Sequence, residues 1–65
     1  MIRWVYRFQN DEVSVYDEEA QKVPKYSGKY ENVKEKILAE APPKAEFYCY
    51  THGVGHPKKV AREQW

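Results

Sequence analysis

Hydrophobic and polar side chains alternate along residues 2–8, where the chain begins. One side of this segment carries an aliphatic residue followed by three aromatic ones: Ile2, Trp4, Tyr6 and Phe8. The other side carries Arg3, Val5 and Arg7. A period of two in aromatic and β-branched residues is typical of a β-strand with one buried face. The pattern therefore predicts a first strand here.

A second alternating segment, Val13–Tyr16, follows after a short polar stretch. Asn10 and Asp11 lie between the two segments, and both residue types tolerate the left-handed backbone of a tight hairpin. If these residues form the whole loop, Phe8 lies opposite Val13. This register predicts a face for a helix to cover that carries Trp4, Tyr6, Phe8, Val13 and Val15. It leaves the other face to Arg3, Val5, Arg7, Ser14 and Tyr16.

The middle of the chain changes to a helical period. The apolar positions follow a spacing of i, i+3, i+7, i+8 and i+11, at Tyr30, Val33, Ile37, Leu38 and Ala41. This spacing makes one apolar stripe on a helix. Ser27 is a candidate N-cap for a helix that begins near Gly28 or Lys29. The pair Pro42-Pro43 ends it, because proline lacks the backbone donor that the helix requires.

Alternation returns over residues 45–52. Ala45, Phe47, Cys49 and Thr51 share one side, and Glu46, Tyr48, Tyr50 and His52 share the other. Residues 57–65 are expected to form either an edge strand on this segment or a tail. The chain is thus predicted to be a single α+β domain over residues 1–65. Its small antiparallel sheet has the order β-β-α-β, with the C-terminal segment as the alternative fourth strand, and its one helix covers the Trp4, Tyr6, Phe8 and Phe47 face.

Composition restricts the class of protein. The chain has 65 residues, a net charge of +1 and 15% aromatic residues, so aromatic rings must supply much of the buried area. Cys49 is the only cysteine, and small secreted domains are usually stapled by disulfides, so a cytoplasmic location is expected. No apolar run approaches the length of a bilayer span, which predicts no membrane partner. Trp65 is expected to pack on the domain or on a partner.

Candidate chemistry is sparse. Cys49, His52 and His56 have a spacing compatible with a zinc site, but a fourth ligand is missing and a strand would point Cys49 and His52 to opposite faces. A small metal-binding protein therefore remains only an alternative hypothesis. The acidic run Asp17, Glu18 and Glu19 lacks the apolar surroundings that raise a catalytic pKa. We expect no catalytic residues and no cofactor.

The uncovered face of the predicted sheet is the candidate binding site. It combines guanidinium groups with aromatic rings: Arg3, Arg7, Tyr16, Tyr48 and Tyr50. These residue types dominate protein interfaces, so we expect a non-enzymatic accessory protein that binds a larger protein through this face or through an open strand edge. Asp17, Glu18 and Glu19 are candidate electrostatic contacts. The alternatives are single-stranded nucleic acid stacked on the same rings and a homodimer formed through a strand edge.

Overall fold

The computed structural model describes residues 1–50 and 55–65. The chain runs through β1 (Trp4–Arg7), β2 (Glu12–Tyr16), β3 (Gly28–Lys29), α1 (Tyr30–Glu40), β4 (Glu46–Cys49) and β5 (Lys58–Val60). Short 3₁₀ turns lie at Pro24–Tyr26 and Arg62–Gln64. In the described ranges the strands form one five-stranded sheet in the order β3-β2-β1-β4-β5.

The α+β class is confirmed, whereas the purely antiparallel sheet is wrong. β1 and β4 pair in parallel, and the other neighbouring strands pair antiparallel. The reason is the crossover: α1 carries the chain back over the sheet, so β4 enters beside β1 in the same direction. The short strand β3 was not anticipated either, because its residues were expected to begin the helix. The final segment does contain an edge strand, since β5 pairs with β4.

The register of the first hairpin differs by one residue from the predicted one. Val5 pairs with Val15 and Trp4 with Tyr16. The loop contains three residues rather than two, because Phe8 donates its N–H to the Glu12 carbonyl at 2.8 Å. Asp11 makes this loop feasible by adopting a left-handed φ of 64°.

This register exchanges the two faces of β1. Val5, Val13 and Val15 are 0%, 1% and 0% exposed and lie in the core beneath α1. Trp4, Tyr6 and Phe8, which were expected there, lie on the opposite side of the sheet and remain half-buried. A one-residue shift has this effect because side chains alternate between the faces of a strand.

The apolar stripe of the helix is confirmed. Val33, Ile37 and Ala41 are buried against the valines and Phe47, and Tyr30 and Leu38 pack partly against the same core. Lys29, and not Ser27, occupies the N-cap position, because the residues after Ser27 first pair as β3. The helix ends at Glu40, just before Pro42-Pro43, as predicted. In residues 1–50 and 55–65 no helix has the length and apolar character needed to cross a bilayer.

The C-terminal turn closes the core on the helix side. Trp65 is 3% exposed, and its ring lies 5.0 Å from that of Tyr30 and 5.1 Å from that of Phe47. Arg62 fixes the turn by donating to the main-chain oxygens of Ala41 at 3.1 Å and Pro42 at 2.6 Å. The expectation that Trp65 packs on the domain is therefore confirmed.

Candidate functional site: the aromatic face

An aromatic surface covers the side of the sheet opposite α1. We call it the aromatic face, and it consists of Trp4, Tyr6, Phe8, Tyr16, Tyr48 and Tyr50. All six rings are half-buried. Strand alternation explains their location, because the residues between them on β1, β2 and β4 fill the core. The three tyrosines predicted from the sequence are thus joined by Trp4 and Tyr6 of β1 and by Phe8 directly after it, which were predicted to lie in the core.

The rings are ordered by contacts with one another. Tyr6 stacks on Tyr48 with centroids 5.1 Å apart and an interplanar angle of 15°. Phe8 stacks on Tyr50 at 5.0 Å and 20°. Tyr16 meets Tyr6 edge-on at 5.8 Å. Such pairs contribute about 0.5–1.5 kcal/mol each beyond the area they bury, so the rings hold one another in place.

An open groove of about 480 Å³ runs across these rings. Its described lining is mainly apolar and includes three phenols: Trp4, Tyr6, Phe8, Tyr16, Ala20, Tyr50 and Pro57. The volume is within the range of sites that accept a small ligand or several side chains of a peptide. The groove is open to solvent.

The hydroxyl of Tyr48 is committed to a carboxylate on the same strand. It donates to Glu46 Oε1 at 2.6 Å, and this hydrogen bond raises the pKa of Tyr48 to about 12. The same bond lowers the pKa of the Glu46 carboxyl, and the positive charges of Lys59 and Arg3 lower it further. Glu46 is therefore a fixed negative charge beside the aromatic face.

The other three tyrosines of the aromatic face have hydroxyl groups that no described residue engages in this way. In the described part of the chain, the hydroxyls of Tyr6, Tyr16 and Tyr50 have no hydrogen-bond partner. Burial raises the pKa of Tyr6, and the neighbouring phenols of Tyr50 and Tyr16 add to the shift. Tyr6 is therefore protonated at neutral pH and keeps its O–H as a donor.

Arg3, just before β1, and Arg7, at its end, do not both lie beside the aromatic face. Arg7, expected beside the tyrosines, lies on the helix side, with its guanidinium 3.7 Å from the centre of the Tyr30 ring. It also pairs with Asp11 at 2.9 Å and donates to the main-chain oxygen of Trp65 at 3.5 Å. The register shift is the cause, since Arg7 shares its side with Val5. Arg7 therefore contacts Tyr30, Asp11 and Trp65 on the helix side of the sheet and lies away from the aromatic face.

Arg3 lies at the rim of the aromatic face. Its guanidinium carbon is 5.0 Å from the centre of the Trp4 ring. Its Nη1 atom donates to Glu46 Oε2 at 3.2 Å and to the Lys44 carbonyl at 2.7 Å. The charge of Arg3 is thus largely matched by that of Glu46.

The acidic loop, residues 17–19, adjoins the groove through Ala20. Asp17 Oδ1 accepts hydrogen bonds from the N–H groups of Glu19 at 2.9 Å and Gln21 at 3.0 Å, which shapes the turn. Ala20 has a left-handed φ of 62°. Glu18 and Glu19 are exposed, and Glu18 lies 3.4 Å from the Met1 ammonium group.

The residues proposed for zinc are not brought together as far as the structure describes them. Cys49 is 0% exposed within the protein interior, whereas His56 is exposed in the approach to β5. His52 lies outside the described residues. Among residues 1–50 and 55–65, no group of three or more His, Cys, Asp or Glu side chains is arranged to hold a metal ion.

The sequence also permits the register that places the aromatic rings on the face away from the helix. With a three-residue loop, Val5, Val15 and Val13 share one side, and the β1 aromatics share the other with Tyr16. The two registers segregate residues equally well, so the loop length decides between them.

Comparisons of the chain with protein-family models, curated proteins and solved structures find no match.

Proposed function

We propose that this protein binds a larger protein partner through the aromatic face and has no catalytic activity of its own. The observation that carries the proposal is the open groove across rings that are already ordered by stacking. Tyrosine and tryptophan are enriched at binding hot spots because they combine a large apolar area with a polar tip. Rings held by their neighbours lose little conformational freedom on binding, which favours affinity.

The charges and ring orientations favour a protein over single-stranded nucleic acid. Base stacking uses free ring faces, and stacking within the pairs Tyr6–Tyr48 and Phe8–Tyr50 already covers one face of each ring, which reduces the ring surface open to bases. The Glu46 carboxylate repels phosphate, and it already occupies the guanidinium of Arg3. A protein partner can pair with charges of both signs.

Site-specific photo-crosslinking tests the proposal. A benzophenone amino acid replaces Tyr16 in one variant and Glu35, an exposed residue of α1, in a matched control. After irradiation in the cells that make the protein, adducts are separated with and without nuclease treatment. We expect a discrete, nuclease-resistant adduct from position 16 alone. A nuclease-sensitive adduct would identify nucleic acid as the partner instead, and equal labelling from both positions would mean that the aromatic face is not the contact.

A further inference from the structure

A molecule bound in the groove would contact side chains, because the described lining of the groove does not expose an unpaired strand edge. β1 forms its floor and is paired with β2 on one side and β4 on the other. Its backbone donors and acceptors are therefore used within the sheet. An extended peptide cannot bind here by adding a strand, which is a common route for peptide recognition by sheets. The occupant must be a segment whose backbone does not need sheet pairing.

The lining of the groove suits a polyproline II helix. Trp4 and Tyr6 on β1 and Phe8 directly after it are alternate residues, and such residues follow one another at about 6.6 Å along extended backbone. Tyr50 and Tyr16 widen this series on either side of β1, because Tyr50 stacks on Phe8 and Tyr16 meets Tyr6 edge-on. Proline-rich segments dock into aromatic grooves of this kind, and their preformed conformation lowers the entropy cost of binding.

The phenol hydroxyls supply the complementary hydrogen bonds. A polyproline II segment makes no internal hydrogen bonds, so its carbonyl groups need donors from the surface that binds it. Tyr6, Tyr16 and Tyr50 carry hydroxyls that no described residue engages. Two of them, Tyr6 and Tyr16, are in ring contact, so adjacent carbonyls of one segment can be reached together.

The acidic loop defines the charge of the occupant. Residues 17–19 carry three carboxylates next to Ala20, which lines the groove beside Tyr16. Glu18 and Glu19 are exposed, and Glu18 pairs with the exposed Met1 ammonium group. A basic side chain that follows the proline-rich stretch would contact Glu19 and replace the Met1 ammonium group at Glu18. An acidic flank would meet like charges there.

We propose that the groove binds an extended, proline-rich segment of a partner protein whose basic residue contacts Glu18 and Glu19. This inference rests on the proposed function, because it assigns a chemical class to the partner of the same face. It excludes a second copy of the chain as the normal occupant.

Fluorescence anisotropy with synthetic probes tests the inference. The main probe is a fluorescein-labelled decaproline that ends in two arginines. One comparison probe is decaproline ending in two aspartates, and the other is a glycine-serine peptide ending in two arginines. We expect saturable binding of the main probe, binding about tenfold weaker for the acidic probe, and no saturable binding of the glycine-serine probe.

Variants assign the contacts. Glu18→Gln combined with Glu19→Gln should reduce the difference between the arginine and aspartate probes to less than about twofold, while Glu35→Gln on the exposed helix surface leaves it unchanged. Tyr16→Phe should weaken both proline probes equally, because it removes a hydroxyl donor and keeps the ring. Circular dichroism verifies that each variant is folded.

The outcomes separate the two proposals. If the proline probes fail to bind while the crosslink from position 16 still captures a protein, the proline-rich assignment is wrong and the proposed function stands. If the glycine-serine probe binds as well as the main probe, the attraction is only electrostatic and the assignment is also wrong. Concentration-dependent dimerisation that Tyr16→Ala abolishes would identify a second copy as the occupant and overturn the inference.

Discussion

Tyr6 and Tyr48 are directly paired residues of the parallel strands β1 and β4, and their rings stack 5.1 Å apart. The stack connects strands that are far apart in sequence. Phe8 and Tyr50 repeat the arrangement just beyond the ends of the same strands. The aromatic face therefore depends on the parallel pairing, and anything that separates β4 from β1 also takes the candidate site apart.

The hydrogen bond between Tyr48 and Glu46 makes a prediction about the Glu46 carboxyl. In Tyr48→Phe, the pKa of Glu46 should rise toward its ordinary value, because its main stabilising donor is lost. The side-chain carbon resonances of Glu46, followed by NMR through an acid titration, measure this pKa. Tyr50→Phe is the control and should leave it unchanged. An unchanged pKa in Tyr48→Phe would mean that the Lys59 and Arg3 charges hold the carboxylate by themselves.

Stability should fall in acid because of two carboxylates that tyrosines engage. Tyr26 donates to Glu40 as Tyr48 does to Glu46, and both carboxyl pKa values are lowered from 4.5. A lowered folded-state pKa adds stability above the unfolded-state value, and that stability is lost as the pH falls through the folded-state value. Thermal midpoints between pH 7 and pH 3 should therefore fall further in the wild type than in a Glu40→Gln, Glu46→Gln double variant. Parallel curves would contradict this explanation.

Removal of the Trp65 ring should severely destabilise the domain. Trp65 is 3% exposed between Tyr30 and Phe47, and truncation of such a residue to alanine costs about 3–5 kcal/mol. Urea unfolding followed by circular dichroism measures the loss. Glu63→Ala, in the same turn but exposed, should stay within about 0.5 kcal/mol of the wild type. Equal effects of the two substitutions would mean that the turn, and not the ring, maintains the core.

Ala20 is a site where glycine should stabilise the fold. Its φ of 62° lies in the left-handed region, where a β-carbon costs about 1–2 kcal/mol and glycine is tolerated. Ala20→Gly should therefore raise the free energy of unfolding by up to about 1 kcal/mol, after the greater entropy of glycine in the unfolded chain is subtracted. Ala39→Gly, at an exposed helical position, is the matched control and should lower it by about 1 kcal/mol. The urea unfolding midpoint should shift upward in Ala20→Gly and downward in Ala39→Gly, relative to the wild type. A loss of stability in both variants would contradict the prediction.

The helix was predictable because its signals are local. The stripe at Tyr30, Val33 and Ile37 and the stop at Pro42-Pro43 act over neighbouring turns, and both are found in the structure. The prediction that Ser27 caps the helix is wrong, because strand pairing of the following residues competes with helix formation there. The backbone around Gly28 reaches β2 and pairs there first, which moves the helix start to Tyr30.

The aromatic face was only partly predictable. Tyr48 and Tyr50 lie away from the helix as expected, because Phe47 and Cys49 leave no ambiguity about the buried side of β4. For β1, the larger area of the aromatic rings favoured burying them. The small valines pack under an 11-residue helix instead, and the rings are partly shielded from solvent by stacking on one another. This stacking requires β4 to pair in parallel with β1, and the alternation of residues along the chain does not specify that pairing.

The central position of β1 also has a kinetic consequence. β1 and β2 are neighbours in sequence and can form a hairpin early, but the second edge of β1 stays unpaired until α1 has crossed over and β4 has docked. During that interval any other extended chain competes for the same backbone groups. Mutations that slow the crossover should thus promote strand exchange between molecules, even when they leave the finished domain equally stable.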